Sequence, residues 1–264
     1  MRVFIEGVGL LGPGLNGWQA SRPLLAGDAA YVDTPTVVTA SDLLPAAERR
    51  RTGLPVKLAL AAGCAAFVHA GRDAATTATV FTSSSGDGEN LHQICATLAS
   101  PEREISPTRF HNSVHNAPAG YWSIATRSHE SSTSLCCHDA SFAAGLLDAA
   151  VQVAVDGKPV ALIACDQPYP EPLHTVRPVS ASFGVALVMA PQASVHAFAT
   201  LDISFVSGAA SATRMTDAGL DAVRAHVPAA RCLPLLAALA RRVATDVVLA
   251  YGEDNHLRVA VAPC

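Results

Sequence analysis

At 264 residues, with 50% hydrophobic and only 15% charged side chains, the chain can build one sizeable core. A net charge of −4, with no basic run beyond Arg49-Arg50-Arg51, argues against a nucleic-acid partner. Gly, Pro or charge interrupts every long apolar stretch, so no transmembrane segment is expected, and the seven cysteines show no paired metal spacing.

Residues 2–6 read as a strand entering a glycine loop (Gly7 to Gly14), then a turn-rich stretch around Trp18 and Leu24-Leu25-Ala26-Gly27. Helices are expected over 56–71 and 90–99, with a strand over 79–82 between them. Residues 106–120 read as a loop and helix start. Ser131 to Leu135 can extend, and 140–156, rich in Ala, Leu and Val, reads as a helix stopped by Gly157-Lys158-Pro159. A buried strand follows over 160–164, then a proline-rich loop over 167–178. Strand 183–189 and a partner strand over 195–206 come next. Helices over 217–226 and 233–243 and strands over 246–250 and 257–261 complete the chain. Strands alternating with helices imply an α/β sheet stack.

The most informative residues are Ser134-Leu135-Cys136-Cys137-His138-Asp139-Ala140-Ser141. They put a cysteine where a short strand turns directly into a long helix. A thiol there faces unpaired N–H groups and the positive end of the helix dipole, the arrangement of an acyl-accepting nucleophile. The same residues also read as small apolar groups at a tight turn. Cys137-His138-Asp139 is not a catalytic triad, because adjacent residues cannot face one another as triad members do. Gly7-Val8-Gly9-Leu10-Leu11-Gly12 spells a dinucleotide fingerprint, but Pro13-Gly14 and Asn16-Gly17 are expected to break up the helix that fingerprint needs.

Upstream, Ile105-Ser106-Pro107-Thr108-Arg109-Phe110-His111-Asn112 runs through Ala117-Pro118-Ala119-Gly120-Tyr121-Trp122-Ser123-Ile124. Its Ser-Pro, Phe, Asn, Ala-Gly and Ser-Ile order resembles the segment before the nucleophile in β-ketoacyl synthases. Residues 3–14, Arg49-Arg50-Arg51, Phe81 to Asp87 and Phe183 to Met189 resemble further parts of that family in the same order. The resemblance covers residues 1 to about 190 and puts Cys137 on the nucleophile position. It implies a thiolase-like layered αβαβα fold with a shortened second half, in which 1–165 is the ketosynthase-like half and 166–264 the reduced one.

The two histidine motifs of a condensing ketosynthase, His-Gly-Thr and Gly-His, are absent. After residue 140 the histidines are His174, His196, His226 and His256. The segment Ala225 to Arg231 is at best a remnant of the Gly-His helix, and Ala250-Tyr251-Gly252-Glu253 an echo of the oxyanion loop. The closest resemblance is to the shortened chain-length-factor proteins of bacterial aryl polyene biosynthesis. It implies an accessory subunit that stabilises a full-length ketosynthase in a cytoplasmic heterodimer, helps shape the acyl tunnel and works with an acyl carrier protein. No cofactor or metal is implied. Phe110, Tyr121 and Trp122 are the large side chains expected to limit that tunnel, ordinary core packing being the alternative. His115, Asn116 and His138 are expected near the Cys137 pocket or the interface. The rival reading is an active synthase or acyltransferase using Cys137.

Overall fold

The computed structural model describes residues 1–39, 42–208 and 210–264. The strands are β1 (Arg2–Gly12), β2 (Leu15–Asn16), β3 (Ala78–Thr82), β4 (Ser132–Leu135), β5 (Val160–Asp166), β6 (Phe183–Ala190), β7 (Ala199–Ser207), β8 (Thr245–Ala250) and β9 (Asn255–Pro263). The first helices are α1 (Trp18–Ala26), α2 (Ala46–Arg51), α3 (Leu54–Ala70), α4 (Gly88–Ala99) and α5 (Pro107–Asn112). After them come α6 (Ala117–Thr126), α7 (Ser141–Asp156), α8 (Leu173–Val176), α9 (Ala218–His226) and α10 (Leu233–Arg241). None of the helices among the described residues is long and apolar enough to cross a membrane.

The nine strands form one mixed sheet in the order β4-β3-β5-β6-β1-β7-β9-β8, with β2 paired to β1. β1 joins its two halves. It pairs antiparallel with β6 from Phe4 to Leu11 and with β7 from Arg2 to Ile5. The strand expected to partner β6 therefore lies across β1 from it, because β1 is long enough to serve both halves.

The expected glycine loop is mostly strand. A Cβ on Gly9 would sit 1.9 Å from the Ala62 carbonyl oxygen, and one on Gly7 2.2 Å from that of Ala66. These glycines let the α3 backbone lie directly on β1, so the dinucleotide-like spelling records close helix–strand packing. The chain reverses at Pro13-Gly14 into β2, and Trp18–Ala26 is helical where turns were expected. Pro23 is tolerated inside α1 because Trp18, Ser21 and Leu25 anchor one face in the core.

One face of the sheet carries α3 and α6, with Leu58, Phe67, Phe81, Trp122 and Ile163 among the packed side chains. The other face holds α7 against β3 and β5, and α10 against β8 and β9. The core there runs unbroken from Val80 and Leu162 to Leu235, Val247 and Val259. Helices thus cover both faces of one mixed sheet, so the layering expected over two sheets is built here on a single continuous one. The outward residues of β7, β8 and β9 alternate with buried ones, and exposed ion pairs link β1 to β7 (Arg2–Asp202) and β9 to β8 (Arg258–Asp246). That face is a solvated antiparallel surface.

Candidate functional site: a cysteine elbow and an open sheet edge

β4 delivers the chain to Cys136 and Cys137, a 3₁₀ turn follows over His138–Ala140, and α7 begins at Ser141. The strand–cysteine–helix order expected from the sequence is present. Both Cys136 and Cys137 are exposed. His138 takes up a left-handed conformation with φ of 50°, a strained choice for a non-glycine residue.

Ser141 fastens this elbow. Its hydroxyl accepts from the Cys137 N–H at 3.0 Å and lies 2.7 Å from the His138 carbonyl and 3.1 Å from that of Ser83, to which it can donate. The Cys136 thiol donates to the Ser84 carbonyl at 3.0 Å. Asp166, at the end of β5, secures the same β3–α4 loop by accepting from the Ser84 and Ala229 N–H groups, both at 2.8 Å. Burial pushes the Asp166 carboxyl up to about 6, against the opposing pull of these hydrogen bonds.

Two arginines from residues 166–264 converge on the elbow. Asp139 bonds Arg177 through one oxygen and Arg231 through the other, each at 2.9 Å. Arg177 also reaches His138 Nε2 and the Tyr169 hydroxyl. A guanidinium only donates, so His138 Nε2 accepts and the ring is turned to Arg177. Tyr169 continues the chain of contacts to Ser84 and Ser85. Cys137, His138 and Asp139 thus form no triad: His138 and Asp139 share Arg177, and the Cys137 thiol is exposed.

The remaining expected site residues divide between a cavity, a groove and the core. His115 Nε2 lies 3.3 Å from the Ser83 hydroxyl, at a cavity of about 20 Å³ lined also by Phe81, Val114, Ala117 and Cys165, room for about one water molecule. Phe110 is 67% exposed and, with Val114, Asn116, Gly120 and Ile124, lines an apolar groove of about 440 Å³ on α5 and α6. Tyr121 borders that groove from a buried position and donates to Asn112 Oδ1 at 3.1 Å. Trp122 is 1% exposed and packs on Phe67 and Phe81, deep in the core. Beside the groove, β4 pairs with β3 on one side and leaves its other edge open.

The two remnants weighed from the sequence lie elsewhere. His226 ends α9 and hydrogen-bonds its own helix at Ala222. The 225–231 segment reaches the elbow through Arg231 instead. Tyr251 belongs to the β8–β9 hairpin and stacks edge-on against Phe205, at the opposite end of the sheet from β4. Arg177 escapes the sequence reading because it belongs to no motif, and Arg231 because its segment is read for His226; only folding brings them together.

The sequence profile of the β-ketoacyl synthase N-terminal domain matches residues 18–246. The chain belongs to the β-ketoacyl synthase family. No curated protein sequence matches this β-ketoacyl synthase family member. Among solved structures it is similar to a chain of "Ketosynthase (ApeO) in Complex with its Chain Length Factor (ApeC) from Xenorhabdus doucetiae", at TM-score 0.75 and 23% identity over 98% of this chain and 99% of that one. It is also similar to a chain of the "AntDE:AntF" type II polyketide acyl-carrier protein and ketosynthase complex, at TM-score 0.77 and 11% identity, covering 100% and 99%. Against the ketosynthase from module 1 of the bacillaene synthase of Bacillus amyloliquefaciens FZB42, the TM-score is 0.59 at 10% identity, covering 80% of this chain but 47% of that one. At these identities the likeness is one of fold.

Proposed function

We propose that this chain is the accessory, chain-length-factor-like subunit of a heterodimeric β-ketoacyl synthase of the aryl polyene or polyketide type. The observation that carries the reading is the elbow. In place of two histidines, the second half brings Arg177 and Arg231, both engaged by Asp139. Permanently charged guanidiniums cannot exchange protons at neutral pH, so the second half does not bring to the elbow the acid–base pair that decarboxylative condensation draws on, worth orders of magnitude in rate. The neighbouring cavity of about 20 Å³ is too small for an acyl chain. Supporting the same reading, the chain matches nearly the full length of chains in ketosynthase complexes and about half of a longer ketosynthase.

In this reading the partner is a full-length ketosynthase. It docks on the Phe110–Ile124 groove and extends the sheet from the open β4 edge, while an acyl carrier protein supplies the substrate. Phe110, exposed in the groove, is the aromatic that limits the partner's acyl tunnel. Co-expression with a complete ketosynthase, followed by size-exclusion with light scattering and an elongation assay with malonyl-carrier protein, tests it. A one-to-one complex is expected, active only when the partner's own nucleophile is intact. Elongated product from this chain alone would reject the proposal.

The second reading is an acyltransferase or synthase that uses Cys137 directly. The exposed position of that thiol, just before the 3₁₀ turn that leads into α7, favours it. Intact-mass detection of an acyl group on Cys137, with loss of activity in Cys137→Ala, distinguishes it from the accessory role.

A further inference from the structure

On the side of the fold away from the β4 edge, a cleft of about 360 Å³ opens between the start of α1, the end of α10 and the β6–β7 connection. We propose that this cleft binds a phosphate-class oxyanion, as free phosphate or the phosphate group of a small monoester.

Arg22 on α1 and Arg242, which caps α10 in a left-handed conformation, both line it. Among the described residues neither guanidinium pairs with a carboxylate, as is also true of Arg50, Arg103, Arg109, Arg127, Arg214 and Arg241; what sets Arg22 and Arg242 apart is that they share one cleft. His69 adds a donor of fixed direction. Its Nδ1 accepts from the Val8 N–H at 3.0 Å, so the proton of the neutral ring sits on Nε2, on the Gln19 side of the cleft. Burial, and secondarily the nearby Arg22, hold the His69 pKa below its ordinary value despite that backbone bond. The Gln19 amide and the His196 ring stand at the rim. The lining side chains are rich in donors, with Arg22 and Arg242 set against a single anionic group, the terminal carboxylate of Cys264, a net positive balance that suits an oxyanion.

The walls are built rather than incidental. β1 carries a bulge between Ile5 and Gly7, and the extra residue is Glu6. Its buried carboxylate pairs with Arg72 and accepts from the Ser194 hydroxyl. The Ser194 oxygen in turn accepts from the His196 N–H at 3.1 Å, and Phe198 N–H donates to the Ile5 carbonyl at 3.0 Å. The bulge therefore fixes the 194–198 wall and stacks Phe198 against His69 and Trp18, with ring centroids 5.4 and 6.5 Å apart. The size of the cleft suits a small molecule. No residue of the elbow or of the apolar groove takes part, so the site is independent of the proposed function.

Trp18 provides the signal. The full chain is titrated with inorganic phosphate and, separately, phenyl phosphate, at constant ionic strength balanced by chloride, following tryptophan fluorescence and calorimetric heat. Saturable one-to-one binding below 10 mM, on the order of a small-ligand site, is expected for at least one probe. Stronger binding of phenyl phosphate assigns a monoester; equal or stronger binding of inorganic phosphate assigns the free anion. Arg22→Gln and Arg242→Gln are each expected to weaken binding about tenfold, and Arg50→Gln, remote from the cleft, to leave it unchanged. No saturation with either probe, or equal affinity in Arg22→Gln and wild type, overturns the proposal. Circular dichroism of each variant confirms that it is folded.

Discussion

Arg231 and Asp139, 92 residues apart in sequence, meet at 2.9 Å and tie the turn before α10 to the turn before α7. With Arg177 on the other carboxylate oxygen, the contact gathers the loop after β5, the Cys137 elbow and the 228–232 turn around one acid. Removing Asp139 would leave two cations beside the elbow without their counter-charge. In Asp139→Ala, alkylation of Cys137 by iodoacetamide is expected to run several-fold faster, since positive charge favours the thiolate. Peptide-resolved mass spectrometry gives the rate, and an unchanged rate would mean the arginines do not act on the thiol.

Thiol reactivity across the chain should follow burial. Burial pushes the Cys165 and Cys232 thiols well up, whereas Cys95, Cys136, Cys137 and Cys264 are exposed. Brief alkylation of the native protein is expected to label the exposed group and to reach Cys165 and Cys232 only after denaturation. Early labelling of either buried thiol would contradict this packing.

Burial makes the Asp166 carboxyl hold its proton more tightly in the fold, at about 6, than an ordinary aspartate does. Its contribution to stability is therefore greatest at low pH and is lost as pH rises through about 4 to 6, by up to about 3 kcal/mol. Glu6, held below its usual value by Arg72 and Ser194 against the cost of its burial, acts in the opposite direction. Asp166→Asn isolates the first effect. Urea unfolding at pH 4.5 and 7 should show that the variant lacks this loss, although it forfeits a hydrogen bond to Ser84 or Ala229. An identical pH dependence in the variant would show that Asp166 does not titrate in this range.

Trp122 and Phe110 should separate cleanly. Trp122→Ala empties a site packed by Phe67 and Phe81 and is expected to cost about 3–5 kcal/mol. Phe110→Ala, on an exposed side chain, should change the stability of the free chain by under about 1 kcal/mol. If Phe110 limits the partner's tunnel, the complex carrying Phe110→Ala should make longer products. Melting curves and product mass spectra decide, and an unchanged product length would reject that role.

A charge in the apolar groove should block assembly while leaving the fold intact. Ile124→Glu, on an exposed position, is expected to leave the melting temperature of the free chain within a few degrees and to abolish co-purification with the ketosynthase. Retained complex would move the interface away from α6.

The elbow was legible in the sequence because it is local: a strand, a tight turn and an alanine-rich helix follow one another within about 25 residues, and each leaves its own pattern. The missing histidine motifs were legible for the same reason. Gly7 and Gly9 misled as a loop, since nothing local distinguishes a glycine needed for a turn from one needed for a helix lying on a strand. The 225–231 segment was singled out for its histidine, whereas Arg231 is the residue that reaches the site. Trp122 belonged to a motif beside the groove, yet the direction of its side chain on α6 put it in the core. Sequence by itself determined the element order, the elbow and the family. Tertiary structure decided which charges meet at the elbow and at the α1–α10 cleft, because contacts between distant segments follow from sheet order and helix packing, which no local pattern encodes.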